Sequence, residues 1–197
     1  GGSKFSFFPE MFETLYLGRK HQRTAKDTFC TQNIDDFPKR GFDVDLHRFR
    51  SSQISCSKNL NFGYMFNSCF VFNQPVNFDT SSATNFNSMF YAAYAFNQPV
   101  NFNTSNGTGF SSMFRLTKKF NQPVNFDTPK ATNMSYMFQG AEAFDQPINF
   151  NTDLVITFNY MFGSALVFNS SITFSNTSKV TDMRYMFYDA RLFNQPI

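Results

Sequence analysis

Two histidines and three cysteines are the residues of this chain best suited to act as base, nucleophile or metal ligand, and their placing argues against all three roles. His21 and His47 stand outside the repeating part of the chain, and neither has a Ser/His/Asp or Cys/His motif around it. Cys30, Cys56 and Cys69 are odd in number and irregular in spacing, so they make no disulfide framework. No CxxC or HxxxH pair offers a zinc ion two ligands on one turn. The cysteines read instead as small residues in or near a core. No glycine-rich phosphate loop is present. Carboxylates such as Asp79 and Asp127 occur singly among Thr, Ser and Pro, where an Asp side chain closes a turn on its own backbone. The expectation is a protein with no catalytic, metal or cofactor-binding residues, and not an enzyme.

The composition points to what such a chain does instead. Aromatic residues make up 19% of 197 positions, and 30 of them are Phe against 8 Tyr and no Trp. An ordinary domain does not lean so heavily on one large residue, so a repeating unit is the first thing to look for. Charge is local. Residues 1–58 hold ten Lys/Arg against seven Asp/Glu, and residues 59–197 hold seven of each. A repeat region so balanced carries no nucleic-acid footprint. The basic run from Arg19 to Lys26 reads as a solvated connector or as a dock for an anionic surface. No apolar run approaches the ~20 residues of a membrane span. The start, Gly1-Gly2-Ser3-Lys4-Phe5, is not a signal peptide.

Met-Phe pairs begin at Met65, Met89, Met113, Met137, Met161 and Met186, spaced 24, 24, 24, 24 and 25. Phe-Asn-Gln-Pro, or a close variant, begins at Phe72, Phe96, Phe120, Phe144, Phe168 and Phe193, with the same period and the same single slip. The extra residue falls within Phe174–Lys179. Insertions are tolerated in surface turns, so Asp79-Thr80-Ser81-Ser82 and its equivalents read as a turn. Phe86, Met89, Phe90 and Ala93, at i, i+3, i+4 and i+7, predict a short helix held by packing and capped by Asn85 or Asn87. Val100 and Phe102 alternate with Asn101, which predicts a half-buried strand. Pro75, Pro99, Pro123, Pro147 and Pro196 lack an N–H and mark where that strand begins. Ser171 replaces Pro in the fifth unit, where a looser corner is expected.

The predicted architecture is an α/β repeat solenoid, leucine-rich-repeat-like, with six coils of about 24 residues, parallel strands and short helices. Residues 1–53 are expected to cap its N-terminus and residues 54–197 to form the solenoid, Ile54 aligning with Phe78. Stacking places Phe66, Phe90, Phe114, Phe138, Phe162 and Phe187 in one structural ladder. Phe72 to Phe193 form a second, and Phe78, Phe102, Phe126, Phe150 and Phe174 a third. Asn73, Asn97, Asn121, Asp145, Asn169 and Asn194 form a polar ladder, bonding along the column or to backbone at the corner. Five Asn-x-Ser/Thr sequons, at Asn103, Asn106, Asn133, Asn169 and Asn176, are what so Asn- and Ser-rich a repeat contains without selection.

Asn-Met-Ser-Tyr-Met-Phe-Gln-Gly-Ala (133–141), Phe-Asn-Gln-Pro (120–123) and Thr-Ser-Lys-Val-Thr-Asp-Met (177–183) carry a resemblance. Over about residues 54–197 the chain resembles the BspA-like, mycoplasma-type surface-protein repeat. That family is a divergent leucine-rich repeat of unassigned biochemical role, found also in giant viruses and protists. The chain departs from it in carrying Phe78, Phe102, Phe126, Phe150 and Phe174 where Trp is usual. The resemblance implies surface display and protein–protein contact, with no catalytic residues to carry over. The expected function is a non-catalytic protein-interaction or structural solenoid, on a cell surface or in a virus particle. The expected partner is another protein, met on a face or at the open C-terminal edge, with self-association as one form of that contact. A glycan- or surface-binding module using the Thr84-Asn85, Thr108, Thr132-Asn133 and Thr181 turns is the alternative.

Overall fold

The structure, a computed structural model, describes residues 60–197. The expected N-terminal cap (1–53), its boundary at Ile54, His21, His47, Cys30, Cys56 and the basic run all lie outside the described residues.

Each 24-residue unit lies on the next through its backbone. Asn61, Asn85, Gly109, Asn133, Thr157 and Asp182 pair in sequence as parallel bridges. From there the chain runs on through consecutive tight turns. Met89 N–H donates to the Phe86 carbonyl, Tyr91 to Ser88 and Ala93 to Phe90, each a three-residue return. The residues between them bond outward. Phe86 N–H donates to the Gly109 carbonyl of the next unit (2.9 Å), Ser88 to Ser111 (2.9 Å), Phe90 to Met113 (2.9 Å) and Ala92 to Arg115 (2.8 Å). Alternate amides therefore close turns and join units, which leaves few buried backbone donors unpaired.

This turn chain stands where short helices were expected, and no helix forms among the described residues. The reason lies in the backbone. Each unit puts two residues in the left-handed region, four apart: Tyr64 and Ser68, Ser88 and Ala92, Ser112 and Leu116, Tyr136 and Gly140, Tyr160 and Ser164, Tyr185 and Asp189. A positive φ at the third residue of a turn is the type II requirement, and it ends any helical run. Glycine fills only one of these places, so side chains hold the others against a local strain of about 1–2 kcal/mol each. Packing and the inter-unit bonds supply the compensation.

On the opposite side the first four units alternate buried and exposed residues, as at Val76–Phe78 and Val100–Phe102. Only β1 (Ile148–Phe150) and β2 (Ile172–Phe174) close a ladder there, parallel and in register, Ile148 opposite Ile172. That pair lies beside the Ser170-Ser171 corner. The equivalent stretches around Val76, Val100 and Val124 keep the alternating burial but make no strand ladder. Ring spacing agrees with this. Centroids in the Phe66 column are 5.3–5.7 Å apart, whereas those from Phe78 to Phe150 are 6.4–6.5 Å apart. Units sit closer on the turn side than on the strand side.

The core between these two sides is phenylalanine. Phe66 to Phe187 stack in one column and Phe72 to Phe193 in a second, 5.6–5.9 Å apart along it. Within each unit the two columns touch face to face, as at Phe90 and Phe96 (4.2 Å). Phe78, Phe102, Phe126 and Phe150 continue as the third column, while Phe174, next to the extra residue, stacks on Phe158 at 4.8 Å. Most of these rings are wholly buried, and each contributes about 1.5–3 kcal/mol of transfer free energy.

Candidate functional site

The polar columns divide into those that serve the scaffold and those that do not. Asn73 Oδ1 accepts the backbone N–H of Asn97 (2.9 Å) and the side-chain amide of Gln98 (3.1 Å). Asn97 and Asn121 repeat this for the units above them. Asp145 accepts the N–H of Asn169 alone, and Ser170 stands where the Gln donor would be. Asn169 in turn accepts Asn194 N–H and the Gln195 amide. The Asn ladder is thus a run of side-chain-to-backbone bonds, with all its acceptors turned to the neighbouring unit.

A second column caps the turn chain. Asn61, Asn85 and Asn133 each accept the N–H two residues on, as do Thr157 Oγ1 and Asp182 Oδ1. Gly109 has no side chain to do this, and Asn87 from the preceding unit reaches Ser111 N–H instead (2.8 Å). A Cβ on Gly109 would meet Asn87 Nδ2 at 2.7 Å and Oδ1 at 2.9 Å. Gly109→Ala should therefore displace the Asn87 cap and cost about 1–2 kcal/mol in urea unfolding, whereas in an Asn87→Gly background, where that cap is already gone, it should add little further loss. A third column reads from sequence only as turn residues. Thr104, Thr128 and Thr152 are buried and donate to the carbonyls of Asp127, Asn151 and Asn176, while the Thr80 hydroxyl has no partner. Thr84, Thr108 and Thr132 likewise donate their hydroxyls to the carbonyl of the preceding unit, so the Thr/Asn turns spend their donors inside the stack.

No group of three or more His, Cys, Asp or Glu that could hold a metal ion occurs among the described residues. Cys69 is half-buried, and burial pushes its thiol up to about 11, so it is a poor nucleophile near neutrality. Asp182 is held well below the usual carboxylate range by the Arg184 side chain and then by that residue's N–H, as a cap would be.

The turn side carries a cluster that the scaffold does not use. Tyr136, Tyr160 and Tyr185 stack at 5.4 and 4.7 Å. Tyr188 stands edge-on to Tyr160 and Tyr185, at 63° and 84°. Gly163 leaves room for this, since a Cβ there would meet Tyr160 Cδ1 at 2.9 Å. Tyr185 and Tyr188 are more than half exposed. Crowding by its neighbours, first through lost solvation and then through the other phenols, raises the pKa of Tyr160. Arg115 extends the cluster, its guanidinium lying over Tyr136 at 5.0 Å and Tyr91 at 5.5 Å. Arg115 Nε and Gln139 Oε1, at the same place in successive units, are buried without hydrogen-bond partners. Sequence reading missed this cluster. Its signal was the Tyr directly before Met-Phe at 64, 136, 160 and 185.

The family model described as "Mycoplasma protein of unknown function, DUF285" matches residues 39–148 and again 124–197. The chain belongs to this family. The two DUF285 matches overlap over residues 124–148, as a repeating chain read in two registers would. No curated protein and no solved structure matches it. No helix among the described residues is long and apolar enough to cross a membrane.

Proposed function

We propose that this DUF285 chain is a non-catalytic, leucine-rich-repeat-like solenoid for protein contact, displayed on a cell surface or carried in a virus particle. The 24-residue period, the parallel inter-unit bridges and the stacked phenylalanines support the solenoid reading. The surface setting rests on the resemblance to surface-protein repeats. The observation that carries the contact reading is the tyrosine–arginine cluster of the turn side, set on a scaffold whose Asn73 column and Thr columns bond to neighbouring units. Tyr and Arg are the residues that most often dominate protein interfaces, because they bury large rigid area and keep a polar end.

The test is cross-linking of the purified chain on intact cells or particles of its source, followed by titration of the recovered protein. Tyr185→Ser/Tyr188→Ser should weaken that binding by about tenfold or more, while the fold keeps its circular dichroism. Equal binding by the tyrosine variant sinks the reading.

A further inference from the structure

The strand side carries exposed positions that repeat one residue type through four units. On the turn side one column reads Tyr91, Arg115, Gln139, Gly163, Tyr188, changing chemistry at each unit. On the strand side Asn77, Asn101, Asn125 and Asn149 are all Asn and exposed through four units, and Thr173, also exposed, follows in the fifth. Beside them run Pro75, Pro99, Pro123 and Pro147, again identical and exposed. Structural need explains the Asn73 column, whose acceptors join the units. It does not explain this one, because none of these four amides makes a hydrogen bond within the protein, and all four side chains are exposed.

We propose that the strand side binds an uncharged polysaccharide laid along the stacking direction. A free amide offers donors and an acceptor together, which suits the hydroxyls of a sugar ring. The pyrrolidine rings beside it supply flat C–H surface. Between the third and fourth units a cleft of about 380 Å³ opens, lined by Asn125 and Asp127 on one and Pro147 and Asn149 on the other. No Lys or Arg stands in the Pro and Asn columns from Pro75 to Asn149, and Asp79 and Asp127 flank them, so a sulfated or phosphorylated polymer meets no countercharge. A face that repeats the same groups at the unit spacing fits a ligand that repeats too. A folded protein without internal repeats presents no such spacing, and its contact belongs to the divergent turn side.

The experiment is affinity electrophoresis of the full chain through gels containing soluble starch, laminarin or mannan, with heparin as the charged control. At least one neutral polymer should retard the chain. Oligosaccharides of that polymer should compete better as they lengthen, because more units engage at once. Asn101→Lys/Asn125→Lys should weaken the retardation by about tenfold or more with unfolding unchanged, since both side chains are exposed and unpartnered. Tyr185→Ser/Tyr188→Ser should leave it intact. No retardation by any neutral polymer, retardation by heparin alone, or retardation to which the Asn pair is indifferent overturns the proposal.

Discussion

Phe114→Ala should lower the unfolding free energy by about 3–5 kcal/mol in urea titration. Its ring is fully buried and stacks on Phe90 and Phe138 at 5.6 Å and on Phe120 at 4.3 Å. Truncation removes contacts to the units on both sides as well as within its own. Stacked rings in a rigid column cannot close the gap without moving three units, so the cavity term stays large. In a repeat stack each unit's stability is tied to its neighbours, so the loss should also broaden the transition or split it at the third unit. Phe187→Ala, at a half-buried ring in the last unit, should cost less than half as much. A loss below about 1 kcal/mol for Phe114→Ala would mean that the phenylalanine columns do not hold the units together.

Asn121→Ala and Asn125→Ala change the same residue type four positions apart and should behave in opposite ways. Asn121 Oδ1 accepts Asp145 N–H at 2.9 Å and the Gln146 amide at 3.0 Å. Removing it leaves a part-buried backbone donor unpaired between units, at a cost of about 1–3 kcal/mol. Asn125 is exposed and bonded to nothing in the protein, so its loss should fall within about 0.5 kcal/mol of zero. Unfolding of the two variants under one set of conditions decides whether the Asn ladder is a fastening. Equal effects would contradict the division between inward columns and a free strand face.

The period is fully legible in the amino-acid sequence, because two markers keep phase through six units and slip together at Phe174–Lys179. The phenylalanine columns follow from it, since a fixed period and a stack put like residues above one another. The helix expected at Phe86–Ala93 does not form, and the reason is physical. Spacing at i, i+3, i+4 and i+7 records which side chains face inward, and a chain of tight turns buries the same four. The residues that would separate the two readings, Ser88 and Ala92, carry positive φ without being Gly or Asn. Only Gly140, in the fourth unit, hints at it. The role of Thr104 and its equivalents is hidden because Thr among Asp, Ser and Pro reads as a solvent turn, whereas here the hydroxyl is folded under to meet a carbonyl of the next unit. The tyrosine cluster is masked by the dominance of Phe, although Tyr-Met-Phe recurs in four units. The expected strand keeps its alternating burial at Val76–Phe78, Val100–Phe102 and Val124–Phe126, but among the described residues it pairs only between β1 and β2. Alternating burial shows which way side chains point, not whether neighbouring backbones come close enough to bond.

If units are joined through the turn chain and the inward Asn column, with the strand side largely unbonded, backbone protection should divide the same way. Residue-resolved amide hydrogen exchange of the intact chain tests this most directly. Slow exchange is expected at Phe86, Ser88, Phe90 and Ala92 and at Asn97 and Asn121, with fast exchange at Asn101 and Asn125. Fast exchange along the turn chain beside uniformly slow exchange from Val100 to Asn103 and Val124 to Asp127 would place the joining ladder on the strand side and contradict it.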